Sequence, residues 1–268
     1  MFRWLTERRR RHILEAPWPA AWDAIIQANV AAFAMLDDAE RTRLRQLAQV
    51  FIAEKNWEGC GGLELTDEIR VTIAAQGCLL ILGRDHDLFA RLVSILVYPT
   101  TVVTPEQRVP FFGFTHQPIV PGTPISGLAH RGDTVILVWD EVLRGTRDPH
   151  DGRNVVLHEL AHAIDFLDGA ADGTPPLSSR AEYRTWADVC NAAYKALGDA
   201  VEHHHPTGVL RAYGATNEAE FFAVATEAFF ERAHQLAADL PALYAVLARF
   251  YNLDLAARPT PASRGSAS

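Results

Sequence analysis

The strongest constraint on this chain is the pentapeptide His158-Glu159-Leu160-Ala161-His162, whose ionisable side chains sit between the apolar runs Val155-Val156-Leu157 and Ala163-Ile164. So apolar a stretch belongs in a core, and ionisable groups taken into a core need partners. On a helix the two histidines lie one turn apart and project from the same face, where they can share one zinc ion. Glu159 then stands beside the metal, placed to take a proton from a zinc-bound water. Asn154 supplies an N-cap, and no Pro or Gly interrupts the stretch before Gly169, which is a suitable C-terminal stop. The chemistry that follows is zinc-dependent hydrolysis, with a peptide as the substrate class.

Bulk properties narrow the setting. The 268 residues are 49% hydrophobic, ample for a core, and the net charge of −8 argues against a nucleic-acid-binding surface. Three widely spaced cysteines, Cys60, Cys78 and Cys190, form neither a zinc knuckle nor a disulfide framework, which points to a reducing cytoplasm. The arginine cluster Arg8 to Arg11 is not followed by an apolar signal region and reads as a solvated helix end. No segment has the uninterrupted apolar length of a transmembrane helix; the longest candidate, 71–82, holds Thr72 and Gln76 and is too short, so no membrane partner is expected.

Periodicity predicts an α+β chain: helices first, strands in the middle, helices last. Residues 19–35 carry apolar residues at helical spacing, and Asp37 or Asp38 caps a second helix through Ile52. The glycine-rich stretch Trp57 to Gly62 reads as a turn, since no Gly-Lys-Ser/Thr follows to make a phosphate loop. Thr66 opens a helix towards Gly83. Strands are expected at 95–98, 100–103, 111–114 and 134–139, with Pro118, Pro121, Gly122, Pro124 and Gly127 marking loops. Later helices are expected at 180–197, roughly 217–233 and 239–251. The expectation is one domain over 1–258, with a helical part at about 19–90 and a catalytic core at about 92–251, before a disordered tail at 259–268.

Catalytic zinc needs a third protein ligand and an open position. A glycine three residues after the second histidine would turn the chain and return a ligand, but Asp165 stands there, so Asp168 is carried away from the metal. Asp165 itself falls on the face of His158 and is a candidate to orient a ligand histidine. The other source is the segment from Tyr213 to Val224, where Asn217 caps a helix and its apolar residues demand burial. Glu220 and Glu227 share a face of that helix, and spacing does not separate them as ligands; Glu220 also fits a capping box with Asn217. His203-His204-His205 lacks ligand spacing and reads as a solvated loop near the cleft.

Three separated segments carry a resemblance that chooses among these. Asn154 to Asp165, Tyr213 to Val224 and Thr66 to Leu80 resemble the Mlc titration factor A (MtfA) family of zinc peptidases, over roughly Trp22 to Tyr251. The resemblance implies a helix-rich zincin-like fold with a small central β-sheet flanked by N- and C-terminal helices, its core similar to that of anthrax lethal factor. It implies His158, His162 and Glu220 as ligands of one zinc ion per chain, Glu159 as general base, and Tyr213 beside the zinc opposite the base. Gly214 and Gly77 depart from the family's usual residues.

The implied activity is a cytoplasmic peptidase of aminopeptidase type, with Tyr213 donating to the developing oxyanion. The strand 134–139 is expected to bind an extended peptide along its edge. The alternative implied by the family's name is a regulatory protein that sequesters a transcriptional repressor.

Overall fold

The computed structural model describes residues 3–100 and 133–258. The expected strands at 100–103 (beyond Thr100) and 111–114, the Pro and Gly positions from 118 to 127, and the tail at 259–268 lie outside the described residues. The described elements are α1 (Arg3–Glu15), α2 (Ala20–Asn29), α3 (Asp38–Glu54), β1 (Asn56–Gly59), α4 (Asp67–Leu79), β2 (Ser94–Tyr98), β3 (Thr134–Val138), α5 (Trp139–Arg147), α6 (Val155–Asp165), α7 (Arg180–Glu202), α8 (Glu218–Glu231), α9 (Ala233–Asp239) and α10 (Pro241–Tyr251). Helices predominate over one small sheet, the expected helix-rich α+β architecture.

The boundaries follow local chemistry. α3 begins with a reciprocal capping box: Asp37 accepts from the Glu40 amide, and the Glu40 side chain accepts from the Asp37 amide. The region 19–35 divides into α2 and a short 3-10 turn, Ala31–Met35. α4 stops at Leu79, short of Gly83, and the stretch 217–233 ends two residues early because Arg232 leaves helical geometry before α9. The glycine-rich segment corrects the turn-only reading: Asn56 to Gly59 is a strand, and only Gly61 and Gly62, with φ of 60° and 83°, make the turn. Likewise β3 ends at Val138, and Trp139 opens α5.

The sheet order is β1-β2-β3 with both pairings parallel, Ser94 opposite Thr134 and Asn56 opposite Ser94. β3 is therefore an edge among the described residues, yet four of its five side chains are buried, as a parallel strand with covered faces requires. The apolar core draws on every helix from α2 to α10 except α9's exposed face, and α6 runs through it, packed against α8, α4 and β3. Gly77 permits the α4 contact, since a Cβ there would overlap a Leu160 methyl. Arg10 of the arginine cluster is tied to Glu54 at 2.9 and 3.0 Å, while its neighbours are exposed. No helix among the described residues is long and apolar enough to cross a membrane.

Candidate metal centre

α6 begins where the sequence places it. Asn154 Oδ1 accepts from the amides of Val156 and Leu157, both at 3.1 Å, satisfying two donors of the first turn. The helix ends at Asp165, and the chain turns through Phe166–Asp168 to Gly169, whose φ of 101° closes the element. His158 and His162 project from one face, their rings crossing at 85° with centroids 4.8 Å apart.

α8 lies across that face. Glu220 Oε2 stands 3.0 Å from His158 Nε2 and 3.4 Å from His162 Nε2, and the two nitrogens are 3.2 Å apart. Tetrahedral zinc with ligands at about 2.0–2.1 Å sets neighbouring donor atoms about 3.3 Å apart, so the triangle fits such an ion. Glu220 Oε2 is also buried without an aligned hydrogen bond among the described residues. A cation at the shared point would satisfy that acceptor. Among the described residues these three form the one group of metal-binding side chains so placed.

The capping-box alternative for Glu220 does not hold. Asn217 accepts from the Glu220 amide at 2.9 Å, but the Glu220 carboxylate turns to the histidines and to Tyr213, whose hydroxyl donates to Glu220 Oε1 at 3.1 Å. Burial opposes ionisation of Glu220, yet the two imidazoles hold its carboxyl well below the usual range. Tyr213 is half-exposed at the rim, its hydroxyl pushed up by burial and by the Glu220 carboxylate.

Glu227 occupies the other side of His158. Its Oε2 is 3.1 Å from His158 Nδ1 and is also bound by Arg211, and its Oε1 accepts from the Asn154 amide at 2.7 Å. Spacing left Glu220 and Glu227 as rivals and the resemblance chose Glu220; the structure sets one on each nitrogen of the same ring. Burial works against a charged His158, but Glu220 and Glu227 together raise it to about 10. Glu159 is 3% exposed with Oε2 unpartnered among the described residues, and burial raises it to about 7 against the pull of the two imidazoles.

Other candidates fall elsewhere. Asp168 is exposed and accepts from the Ala170 amide at 3.0 Å. Asp165 is fully buried but accepts from the Gly173 amide at 3.0 Å, anchoring the following loop; the hydrogen bond that orients a histidine comes from Glu227 instead. His203, His204 and His205 are exposed at the C-terminal end of α7. Sequence reasoning missed Arg211, because an arginine outside the helix gives no periodic signal. For Glu227 the signal was its place on a buried face.

The sequence pattern of the family described as Glucose-regulated metallo-peptidase M90 matches residues 4–252. An uncharacterized protein of Synechocystis is 36% identical over 252 residues, spanning 94% of this chain and 90% of that protein. The Mlc titration factor A of Serratia proteamaculans is 30% identical over 254 residues, 93% of each chain. That of Edwardsiella ictaluri is 32% identical over 242 residues, 89% of this chain and 87% of the relative.

Proposed function

Since the chain belongs to the glucose-regulated M90 metallo-peptidases, we propose that it is a zinc peptidase of aminopeptidase type, working on peptides in the cytoplasm. The observation that carries this reading is the triangle of His158 Nε2, His162 Nε2 and Glu220 Oε2, with a buried glutamate between the histidines and a tyrosine hydroxyl at its edge. A catalytic zinc has three protein ligands and leaves a position open, whereas a structural zinc takes four, and no cysteine joins this group. Its three cysteines are free.

His158, His162 and Glu220 would hold the ion, which when bound would supply Lewis acidity to the scissile carbonyl and the attacking water. Glu159 takes the proton from that water as its oxygen bonds to the carbonyl carbon. It then passes the proton to the departing amine as the C–N bond breaks. Burial suits Glu159 to this exchange, since an acid near 7 both accepts and releases a proton at neutral pH. Tyr213 donates to the oxygen that gains charge, its hydroxyl turning from Glu220 to that atom. Among the described residues β3 is an edge strand, whose outer side would offer backbone groups to an extended peptide beside the site.

The test is metal content by mass spectrometry alongside chelator-sensitive cleavage of chromogenic aminoacyl substrates. One zinc per chain with turnover abolished by chelator is expected; turnover unaffected by chelation sinks the reading. A second reading rests on the relatives' name, Mlc titration factor A: sequestration of a transcriptional repressor. Stoichiometric zinc without turnover, together with repressor binding in solution, would favour it.

A further inference from the structure

One arginine outside the motif helix joins three parts of the site's support. Arg211 immediately precedes the 3-10 turn Ala212–Ala215, which carries Tyr213, and its carbonyl accepts from the Gly214 amide at 3.0 Å. Its Nε donates to the Gly152 carbonyl at 3.0 Å, in the loop that enters α6. Its terminal nitrogen donates to Glu227 Oε2, the oxygen that also faces His158 Nδ1. Glu227 in turn holds the Asn154 amide at the start of α6. The guanidinium thus ties the tyrosine turn, the α6 entry loop and α8 together. Glu227 is only 2% exposed, so a mobile cation or solvent cannot easily replace Arg211 there.

We propose that Arg211 is a positioning residue for the metal centre: through Glu227 it fixes the orientation of His158, and through its own turn it fixes Tyr213. The two planar N–H directions reach the Gly152 carbonyl and the Glu227 carboxylate at once, which a lysine's single ammonium does not reproduce. A ligand histidine whose second nitrogen is fixed by a carboxylate binds metal in one tautomer and one ring orientation. Gly214 makes the turn fit closely: a Cβ there would lie 3.2 Å from both Leu197 and Val224. The turn therefore rests on α7 and α8, and Arg211 sets its position along them.

The proposal rests on the zinc-peptidase reading, so its test has one arm that needs no turnover. Zinc affinity is measured by chelator competition for the wild type, Arg211→Ala, Glu227→Gln and the double variant. Each single change is expected to weaken zinc about 10-fold or more, and the double variant to be no weaker than the worse single one. In the second arm, Arg211→Ala lowers kcat in the wild type but changes it less than about twofold in Tyr213→Phe, with KM little altered in either. Should Arg211→Ala fail to fold, Arg211→Lys keeps the charge and is read in the same two cycles, with smaller but equally non-additive losses. Additive losses in both cycles, or wild-type zinc affinity in the Arg211 variant, overturn the proposal. If the wild type cleaves no peptide, the functional reading fails while the zinc cycle still decides the role of Arg211.

Discussion

Glu220 and Glu227 grip the same imidazole from opposite sides: Glu220 Oε2 lies 3.0 Å from His158 Nε2 and Glu227 Oε2 lies 3.1 Å from its Nδ1. Two turns of α8 thereby supply one carboxylate that shares the space in front of the ring and one that holds the ring from behind. The first fits a metal ligand, the second the partner that fixes the ligand's tautomer.

Replacing the two carboxylates should give different defects. Glu220→Ala is expected to reduce bound zinc well below one per chain. Glu227→Gln retains zinc at saturating metal but with affinity lowered about 10–100-fold. Metal content after dialysis and a chelator titration separate them; full zinc occupancy in Glu220→Ala would move the ligand role to Glu227.

Glu159→Gln preserves the shape of the side chain and removes the base. Zinc content is expected to stay at the wild-type level while kcat falls about 10²–10⁴-fold. Turnover retained in the zinc-loaded variant would remove Glu159 from the chemistry.

For Tyr213→Phe the expected loss is in kcat, about 10²–10³-fold, with KM and zinc content little changed. The ring is half-exposed and, among the described residues, its hydroxyl hydrogen-bonds to Glu220, so its loss should leave the fold intact. A change confined to KM would instead make Tyr213 a binding group.

The metal-free protein should become less stable between pH 6.5 and 8. In that window folded His158, raised to about 10, keeps a proton that the unfolded chain gives up. Glu159 at about 7 and the buried Glu231 at about 8 also hold protons that are gone when unfolded. All three make the folded state bind more protons, so its stability falls as pH rises. Lys55 and His86, lowered to about 8 and about 4, act in the opposite sense but mostly outside this window. Thermal midpoints in the presence of chelator check the sign; a midpoint rising with pH contradicts it. Zinc added at pH 7 should release a proton from His158, seen as a buffer-dependent enthalpy in calorimetry.

Gly77→Ala tests the packing beneath the motif. The added methyl would overlap a Leu160 methyl and approach Val156, and Leu160 is fully buried, so the neighbours have little room to move. A destabilisation of about 1–3 kcal/mol is expected, measured by denaturant unfolding of the metal-loaded protein. Gly77, one of the two departures from the family's usual residues, thus lies directly against the motif helix.

The motif helix was legible residue by residue. Asn154 caps it, the histidines share a face, and their spacing lets both reach one centre, because all of this is set by a helical repeat within a few residues. The helix-rich α+β pattern was legible for the same reason. The strand at Asn56 to Gly59 was not, since its glycine and polar residues carry a turn signal and its backbone is held by β2.

The sequence by itself determined that two histidines share a helix face with a glutamate between them in the chain, and that a second helix brings two carboxylates on one side. Helical spacing left open which carboxylate takes which nitrogen; the resemblance named Glu220, and only the tertiary structure set Glu227 on the other nitrogen of His158 and joined Arg211 to it. Residues seven apart on a helix point the same way, so the choice depends on how α8 lies along α6. That is fixed by packing between segments distant in the chain, among them Gly77 against Leu160 and the Tyr213 turn against α7 and α8.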